Sequence, residues 1–277
     1  MLLEDIMITH NIRLGPTELK LILTLEKEDK RVFNTKDAYR ILDSSKDSVN
    51  TALYRLRKKN RIEEIERGKY LLIPAKAGYE GKWAEMPFLI ASHLVEPYYI
   101  GFASALNYWG MTEQMPNKTF IVTTKRKKRL EYGPLEFEFV TITKKRFFGI
   151  TNEVIDKKNI NISNKEKTII DCLLHPKYCG GVDEIVKGIW EERDELDFDI
   201  LLDYANQTGI GVVTMRLLYL LDILGINTNL KKMSKISKPK GFMWLDPAWP
   251  KQVIEYSKEY KLIINRTKDS LTRWKKH

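Results

Sequence analysis

At 277 residues, the chain is long enough for one large domain or two ordinary ones, and we expect two. Hydrophobic residues make up 43% of it and charged residues 30%, which excludes a disordered chain and a disulfide-stapled miniprotein. The 47 Lys and Arg residues exceed the 37 Asp and Glu residues, and the resulting formal charge of +10 favours phosphate-bearing or acidic partners.

The ends and the cysteines of the chain predict a cytoplasmic protein without a metal. Glu4 and Asp5 stand where a signal peptide needs bases, and no run of apolar residues is long enough to cross a membrane. Cys172 and Cys179 have only His175 between them, whereas a structural zinc site needs four ligands. We therefore expect two reduced thiols, no metal and no cofactor.

The first 60 residues predict three helices. Gly15-Pro16-Thr17-Glu18 is a helix start, because proline suits the first turn and glutamate complements the helix dipole. This helix is predicted to bury Leu19, Ile22 and Leu23. A short strand at Val32-Phe33 should precede a second helix, capped by Asn34 or Thr35. The residues predicted to face inward from this second helix are Ala38, Ile41 and Leu42.

The third helix is followed by a β-hairpin. Ser44 and Asp47 have the spacing of a capping box, and the helix should run to about Asn60. Its apolar stripe consists of Val49, Ala52, Leu53 and Leu56. From Ile62 to Ile73 the pattern changes to that of two strands around Arg67-Gly68-Lys69. Three helices followed by a hairpin with a basic tip predict a winged helix-turn-helix in residues 1–74.

The outer face of the third helix is predicted to bind duplex DNA. Base edges are contacted from the N-terminal part of such a helix, which carries Ser48, Asn50, Thr51, Tyr54 and Arg55. Three further bases suit phosphates, namely Lys58, Lys59 and Arg61, and the wing tip adds Arg67 and Lys69. The alternative is that residues 55–61 are only a solvated helix end. Seven bases against three acids from residue 50 to residue 69 favour DNA.

The remainder of the chain predicts a linker and a larger domain. Residues 75–82 contain two glycines and no periodicity, as in a linker, and residues 83–277 mix the two element types in an α+β domain. We predict helices at residues 83–95, 101–110, 165–174, 182–193 and 211–224. We predict strands at residues 119–123, 135–140, 241–245 and 260–264. In the helix at 165–174, Ser163 is the predicted cap, with Glu166 three residues later.

Several segments in this order resemble the AbiEi antitoxins of bacterial and archaeal abortive-infection systems. The resemblance starts in the winged helix and spans most of the chain. The segments are residues 98–110 (YYIGFASALNYWG), 146–150 (RFFGI), 162–173 (ISNKEKTIIDCL), 216–221 (RLLYLL) and 244–247 (WLDP). The stretch at 162–173 is the most diagnostic, and the first segment looks like the family's helix ending in a small-residue turn.

The resemblance implies an N-terminal winged helix-turn-helix followed by a mixed α/β antitoxin domain. It implies a transcriptional autorepressor that binds inverted repeats in its own promoter and counteracts a separately encoded nucleotidyltransferase toxin. Repressors that bind inverted repeats commonly bind as pairs, so a dimer on DNA is expected. Members of the family also occur without an adjacent toxin gene.

Three charged clusters lie outside the winged helix. Lys125, Arg126, Lys127, Lys128 and Arg129 form either a solvated hairpin tip or an accessory contact to DNA or an acidic partner. A second basic loop spans residues 231–240. Residues 183–203 hold nine acids and two bases, and they are either a polar helical face or a docking surface for a basic protein. The candidate docking residues are Glu191, Glu192, Asp194 and Glu195.

Enzyme functions fit the sequence less well. A nucleotidyltransferase needs a Gly-Ser turn before its Asp-x-Asp pair, and no Gly-Ser dipeptide accompanies Asp197-Phe198-Asp199, so the chain is not expected to be the toxin. Asp246, Glu259 and Lys261 imitate the pattern of a metal-dependent nuclease, which remains the alternative. The four histidines, His10, His93, His175 and His277, have no nucleophile motif beside them.

Overall fold

A computed structural model describes residues 13–77, 85–226 and 239–276. The contacts divide the chain into two units, Met1–Met86 and Pro87–His277. Residues 78–82 of the predicted linker lie outside the described residues, and Ala75–Ala77 forms a single turn of 3₁₀ helix. No helix of the described residues is long and apolar enough to cross a membrane.

The first unit is a winged helix. Its elements are α1 (Pro16–Lys27), β1 (Val32–Asn34), α2 (Thr35–Leu42), α3 (Lys46–Lys58), β2 (Ile62–Glu66) and β3 (Lys69–Leu72). The strands form one antiparallel sheet in the order β1-β3-β2. The predicted stripe of α3, from Val49 to Leu56, is buried against α1, α2 and the sheet. The predicted order of three helices and a hairpin and the predicted stripe of α3 are confirmed.

The buried face of α1 differs from the prediction. Leu21, Ile22 and Leu25 are buried, whereas Leu19 is 43% exposed and Leu23 is 53% exposed. Apolar residues occupy both sides of this helix, so that helical spacing alone allows either face to be the inner one. The prediction for Leu19 and Leu23 was wrong because tertiary contacts select the other side.

The predicted cap of α2 is confirmed, whereas the cap of α3 lies one residue later than predicted. Asn34 caps α2, since its side chain accepts a hydrogen bond from the Asp37 amide and the Asp37 carboxylate accepts one from the Asn34 amide. The cap of α3 is Ser45, whose hydroxyl accepts from the Ser48 amide, and not Ser44. Three serine or aspartate candidates stand side by side there, so only the backbone path selects the cap.

The second unit is built on a mixed six-stranded sheet in the order β6-β7-β5-β4-β9-β8. Its strands are β4 (Tyr98–Ile100), β5 (Thr119–Thr123), β6 (Leu130–Tyr132), β7 (Leu135–Thr141), β8 (Ile150–Ile155) and β9 (Lys158–Ser163). A smaller sheet, in the order β10-β12-β11, consists of β10 (Met243–Trp244), β11 (Glu255–Ser257) and β12 (Leu262–Ile264). This arrangement confirms the predicted α+β class.

Helices pack around the six-stranded sheet and one another. They are α4 (Pro87–Ser92), α5 (Phe102–Tyr108), α6 (Lys165–Leu174), α7 (Val182–Glu191), α8 (Phe198–Gln207), α9 (Gly211–Leu224) and α10 (Lys268–Leu271). Nearly every side chain of α9 is buried, which identifies it as the central helix of the core. Its Arg216 donates hydrogen bonds to the carbonyls of Leu173 and Trp244, and so joins α6 to β10.

Several elements of this unit were missed or misplaced by the sequence. The predicted helix at 101–110 is confirmed by α5, but the strand β4 directly before it was missed, and β8, β9 and α8 were not predicted either. The predicted helix at 83–95 is reduced to α4 within the described residues. Asn164, and not Ser163, caps α6, because Ser163 ends β9 and its hydroxyl contacts Thr168.

Candidate nucleic-acid interface

The face of α3 that points away from the core is polar and exposed. Asn50, Thr51, Arg55 and Lys58 are exposed, and Tyr54 has 60% of its surface in the solvent. The Lys58 ammonium lies 5.7 Å from the centre of the Tyr54 ring, which holds these two side chains side by side. Ser48 is half-buried, and its amide donates a hydrogen bond to the hydroxyl of the Ser45 cap. Helical geometry alone therefore brings the predicted base-reading residues to one face.

The start of α3 adds a base that sequence reasoning missed. Lys46 is the first residue of the helix and is exposed. The sequence assigned no role to it, although the predicted cap at Ser44 also places it in the first turn of the helix. Helix starts are close to the groove in helix-turn-helix complexes, so this position could have pointed to the residue.

The hairpin wing is a tight turn tied to the start of α2. Gly68 adopts a φ of 75°, which favours glycine, and its carbonyl accepts a hydrogen bond of 3.0 Å from the Thr35 amide. The Gly68 amide donates to the Glu64 carboxylate. These bonds hold the adjacent Arg67 at the tip, where it is exposed. The wing thus presents one arginine from a short, well-braced loop.

Two of the predicted bases, Lys59 and Lys69, and the neighbouring Arg57 are engaged within the unit. Arg57 pairs with Glu64 at 2.8 Å, and Lys69 pairs with Glu66 at 2.8 Å. The ammonium of Lys59 lies 2.5 Å from the carboxylate of Glu18 and also donates to the carbonyl of Arg13. Because Glu18 is buried, this pair fastens the end of α3 to the start of α1. Arg61 is half-buried, and its carbonyl accepts from the Ile73 amide.

Open grooves flank α3 on both sides. One, of about 310 Å³, lies between α3 and the start of α1 and is lined by Thr17, Thr51 and Arg55 among others. The other, of about 740 Å³, lies between the end of α3 and β2, with Tyr54, Arg57 and Lys58 in its wall. Residues of the exposed face of α3 therefore line both recesses, and a major groove is wide enough to admit such a helix.

The basic cluster of the second unit is not a hairpin tip. Residues 125–129 cross from β5 to β6, which lies on the far side of β7 in the sheet. Lys127 donates a hydrogen bond to the Leu94 carbonyl and lies over the Phe139 ring, and Arg129 pairs with Glu131 and Glu136. The remaining bases of the cluster, Lys125, Arg126 and Lys128, are exposed. Residues 231–238 of the other basic loop lie outside the described residues.

The acidic segment is partly neutralised by its own surroundings. Lys165 of α6 pairs with both Glu192, at 2.5 Å, and Glu195. This contact raises the pKa of Lys165, through its hydrogen bonds to the two glutamates, against the opposing effect of burial. Glu191 and Asp194 are exposed, and Asp194 lies 3.4 Å from Arg193. The docking role of these four acids stays a prediction.

Two of the three residues that suggested a nuclease, Asp246 and Lys261, make contacts within the fold. Asp246 is buried, and its carboxylate accepts hydrogen bonds from the amides of Val182 and Ala248. Lys261 lies over the ring of Phe242, and Glu259 is exposed. Within residues 13–77, 85–226 and 239–276, no group of three His, Cys, Asp or Glu side chains could hold a metal ion. The geometry gives the nuclease alternative no support.

Other reactive groups are also part of the fold. Asp197 caps α8 by accepting from the amides of Asp199 and Ile200. Cys172 and Cys179 are buried free thiols, and burial raises the pKa of both. The ring of His175 packs against Phe102 and Tyr178, while His93 contacts the Leu89 carbonyl through Nδ1. His10 and His277 lie outside the described residues.

The element order, the three-stranded sheet and the exposed polar face of α3 define the first unit as a winged helix-turn-helix domain. Residues 20–73 match a family model described as a transcriptional regulator, AbiEi antitoxin. This part of the chain is therefore similar to the AbiEi antitoxin and transcriptional regulator family, in agreement with the predicted resemblance.

One similar solved structure extends over nearly the whole chain. The crystal structure of RV2827C protein from Mycobacterium tuberculosis is similar with a TM-score of 0.66 and 14% sequence identity, over 96% of each chain. At this identity the similarity shows a shared fold alone. No curated protein sequence matches the chain.

Proposed function

We propose that this protein is a cytoplasmic transcriptional autorepressor that binds inverted repeats in its own promoter. The observation that carries the proposal is the exposed polar face of α3, with Asn50, Thr51, Tyr54 and Arg55 on a helix whose opposite face is buried. Asparagine and arginine suit the edges of adenine and guanine in the major groove. Two copies bind one operator, one on each half-site.

The exposed bases around that face position the domain on the duplex. Lys46 and Lys58 lie at the two ends of α3, and Arg67 lies at the tip of the wing. In this proposal Lys46 and Lys58 contact phosphates, and Arg67 reaches the adjacent minor groove or backbone. Lys59 is assigned a bracing role instead, because its ammonium is bonded to Glu18 and Arg13.

A gel shift against the DNA upstream of the gene tests this surface. Arg55→Ala should weaken binding to that DNA about tenfold or more, because a bidentate contact to guanine contributes about 1 to 3 kcal/mol of discrimination. Lys27→Ala removes an exposed base at the end of α1 and serves as the matched control. Equal binding by wild type and Arg55→Ala, or no preference over random DNA, contradicts the proposal.

We further propose that the chain is the antitoxin to a separately encoded nucleotidyltransferase toxin. Support comes from the match of residues 20–73 to the AbiEi family. Co-expression with a neighbouring nucleotidyltransferase gene should restore growth that the gene alone arrests. Arg55→Ala, expressed from a foreign promoter, should still restore growth, because the variant changes only the face of α3. Failure of the wild type to restore growth contradicts the antitoxin role.

A further inference from the structure

The small sheet of the second unit has an outer face of apolar side chains, of which Trp244 and Ile263 are half-buried and others are exposed. Leu262 and Ile264 of β12 are buried, so Ile263 between them points outward. Trp244 of β10 and Tyr256 of β11 are both the register partners of Ile263. Register partners share a face, and these three side chains therefore form one outer row.

A second row continues this face. The ring of Phe242 lies 5.3 Å from the ring of Tyr256 in an edge-to-face contact, which places Phe242 on the same side of the sheet. Phe242 is 37% exposed, Tyr256 is 56% exposed and Ile254, two residues before Tyr256, is 50% exposed. We call this set, with Trp244 and Ile263, the aromatic face. Contiguous exposed patches of this kind mark binding surfaces.

One cation lies against the aromatic face, and further lysines lie near it in the chain. The ammonium of Lys261 lies 5.3 Å from the centre of the Phe242 ring. Lys240, Lys251 and Lys258 are exposed in the same stretch of chain, against the exposed acids Glu255 and Glu259. Asp246 is buried with its carboxylate bonded to backbone amides, so it is not part of the exposed charge.

The lysine at the aromatic face determines which kind of partner can bind there. An apolar protein surface placed over Phe242 would also cover the Lys261 ammonium. The ammonium would then lose its bound water without gaining another hydrogen-bond acceptor. A nucleic acid supplies a phosphate to that ammonium while its bases stack on the rings. Bases of a duplex already stack on one another, so that only unpaired bases have free faces for Phe242 and Tyr256.

We propose that the aromatic face binds single-stranded nucleic acid by stacking unpaired bases on Phe242, Trp244 and Tyr256, with Lys261 pairing with the backbone. Aromatic side chains on adjacent strands with nearby cations are the arrangement that such binding uses. The inference is independent of the duplex-binding proposal, because it rests on a different unit of the chain.

Fluorescence anisotropy with labelled DNA and RNA single strands of about 10 nucleotides tests the proposal. The full chain carries Arg55→Ala and Arg67→Ala in all samples, so that the face of α3 and the wing contribute less to the measured affinity. Phe242→Ala or Tyr256→Ala should weaken the affinity about tenfold, and Tyr256→Phe should keep most of it. Lys261→Gln should reduce the dependence of the affinity on salt.

Controls separate the proposal from a protein interface and from misfolding. Val154→Ala removes a 72% exposed apolar side chain from β8 and should leave the affinity unchanged. Thermal unfolding checks each variant, and Lys261→Gln remains informative if an aromatic variant does not fold. Equal affinities for all variants overturn the proposal, as does binding to a duplex of the same length that is as tight. Self-association that Tyr256→Ala abolishes, without a change in strand binding, also overturns it.

Discussion

At the scale of single residues, Glu18 connects two helices of the winged helix. It is 3% exposed, and its Oε2 accepts hydrogen bonds from the Gly15 amide at 2.8 Å and from Lys59 at 2.5 Å. We predict that Glu18→Ala lowers the free energy of unfolding by about 1 to 3 kcal/mol, since it leaves two donors without their acceptor. Urea unfolding measures this loss. Lys20→Ala, exposed on the same helix, should change little, and equal stability of the two variants would contradict the role of Glu18.

The second unit contains a buried charge network. Lys167 and Asp171 are 1% and 3% exposed and form an ion pair, and Tyr99 donates a hydrogen bond of 2.7 Å to Asp171. Burial and the charge of Asp171 raise the pKa of Tyr99, so that its phenol stays protonated and can donate. Asp171→Ala should cost about 3 to 5 kcal/mol of unfolding free energy, because it leaves the Lys167 charge buried alone.

A double variant separates the network from simple packing. Lys167→Met in the Asp171→Ala background removes the unpaired charge, so the double variant should unfold at a higher denaturant concentration than Asp171→Ala alone. Chemical denaturation of the three proteins measures the difference. A double variant less stable than either single variant would show that the pair contributes through packing and not through charge.

His175 makes the stability depend on pH. Burial lowers its pKa below the ordinary value of 6.5, so the unfolded chain binds a proton more readily than the folded one. Its stabilising contribution is complete above pH 6.5 and is lost as the pH falls below that value. We expect the stability difference between wild type and His175→Phe to shift in favour of the variant on acidification. Urea titrations at several pH values measure this, and a constant difference would contradict it.

At the scale of elements, the turn into β8 depends on Gly149. This residue has a φ of 66°, and a Cβ on it would lie 2.7 Å from the Cβ of Lys167. We predict that Gly149→Ala destabilises the protein by more than about 1 kcal/mol, because a strained backbone is combined with overpacking. Gly133→Ala is the matched control, since Gly133 has a φ of 52° and nothing within 4 Å of such a Cβ. Equal melting temperatures for the two variants would contradict the packing argument.

Elements with a clear period were predictable, and short ones were not. The stripe from Val49 to Leu56 and the continuous β-branched and aromatic run in Thr119–Thr123 identify their elements without any tertiary information. The three residues of β4 are too few to show alternation, and the glycine that follows them looked like part of a helix. The amphipathic α8 was missed because its acids, Asp199 and Asp203, were interpreted as part of a charged cluster.

At the scale of the whole molecule, the charge of +10 favours association with polyanions. We expect the affinity for promoter DNA to fall linearly with salt on logarithmic axes, with a slope of roughly −0.9 for each phosphate neutralised. Lys58→Ala should make this slope less steep by about one, because its ammonium is exposed at the end of α3. Gel shifts over a range of salt concentrations measure the slope. An unchanged slope would place Lys58 away from the phosphates.

The sequence by itself determined the winged helix, the polar face of α3 and the general basic character of the chain. These follow from helical period, hydrophobic pattern and charge, all of which are local or additive properties. The tertiary structure alone decided which bases are engaged in ion pairs, because the pairing of Lys59 with Glu18 and of Arg57 with Glu64 joins residues distant in the chain or on different elements. It also decided the aromatic face, since Phe242, Trp244 and Tyr256 become neighbours only through the register of β10, β11 and β12. Strand register depends on contacts between separate segments, which no local pattern records.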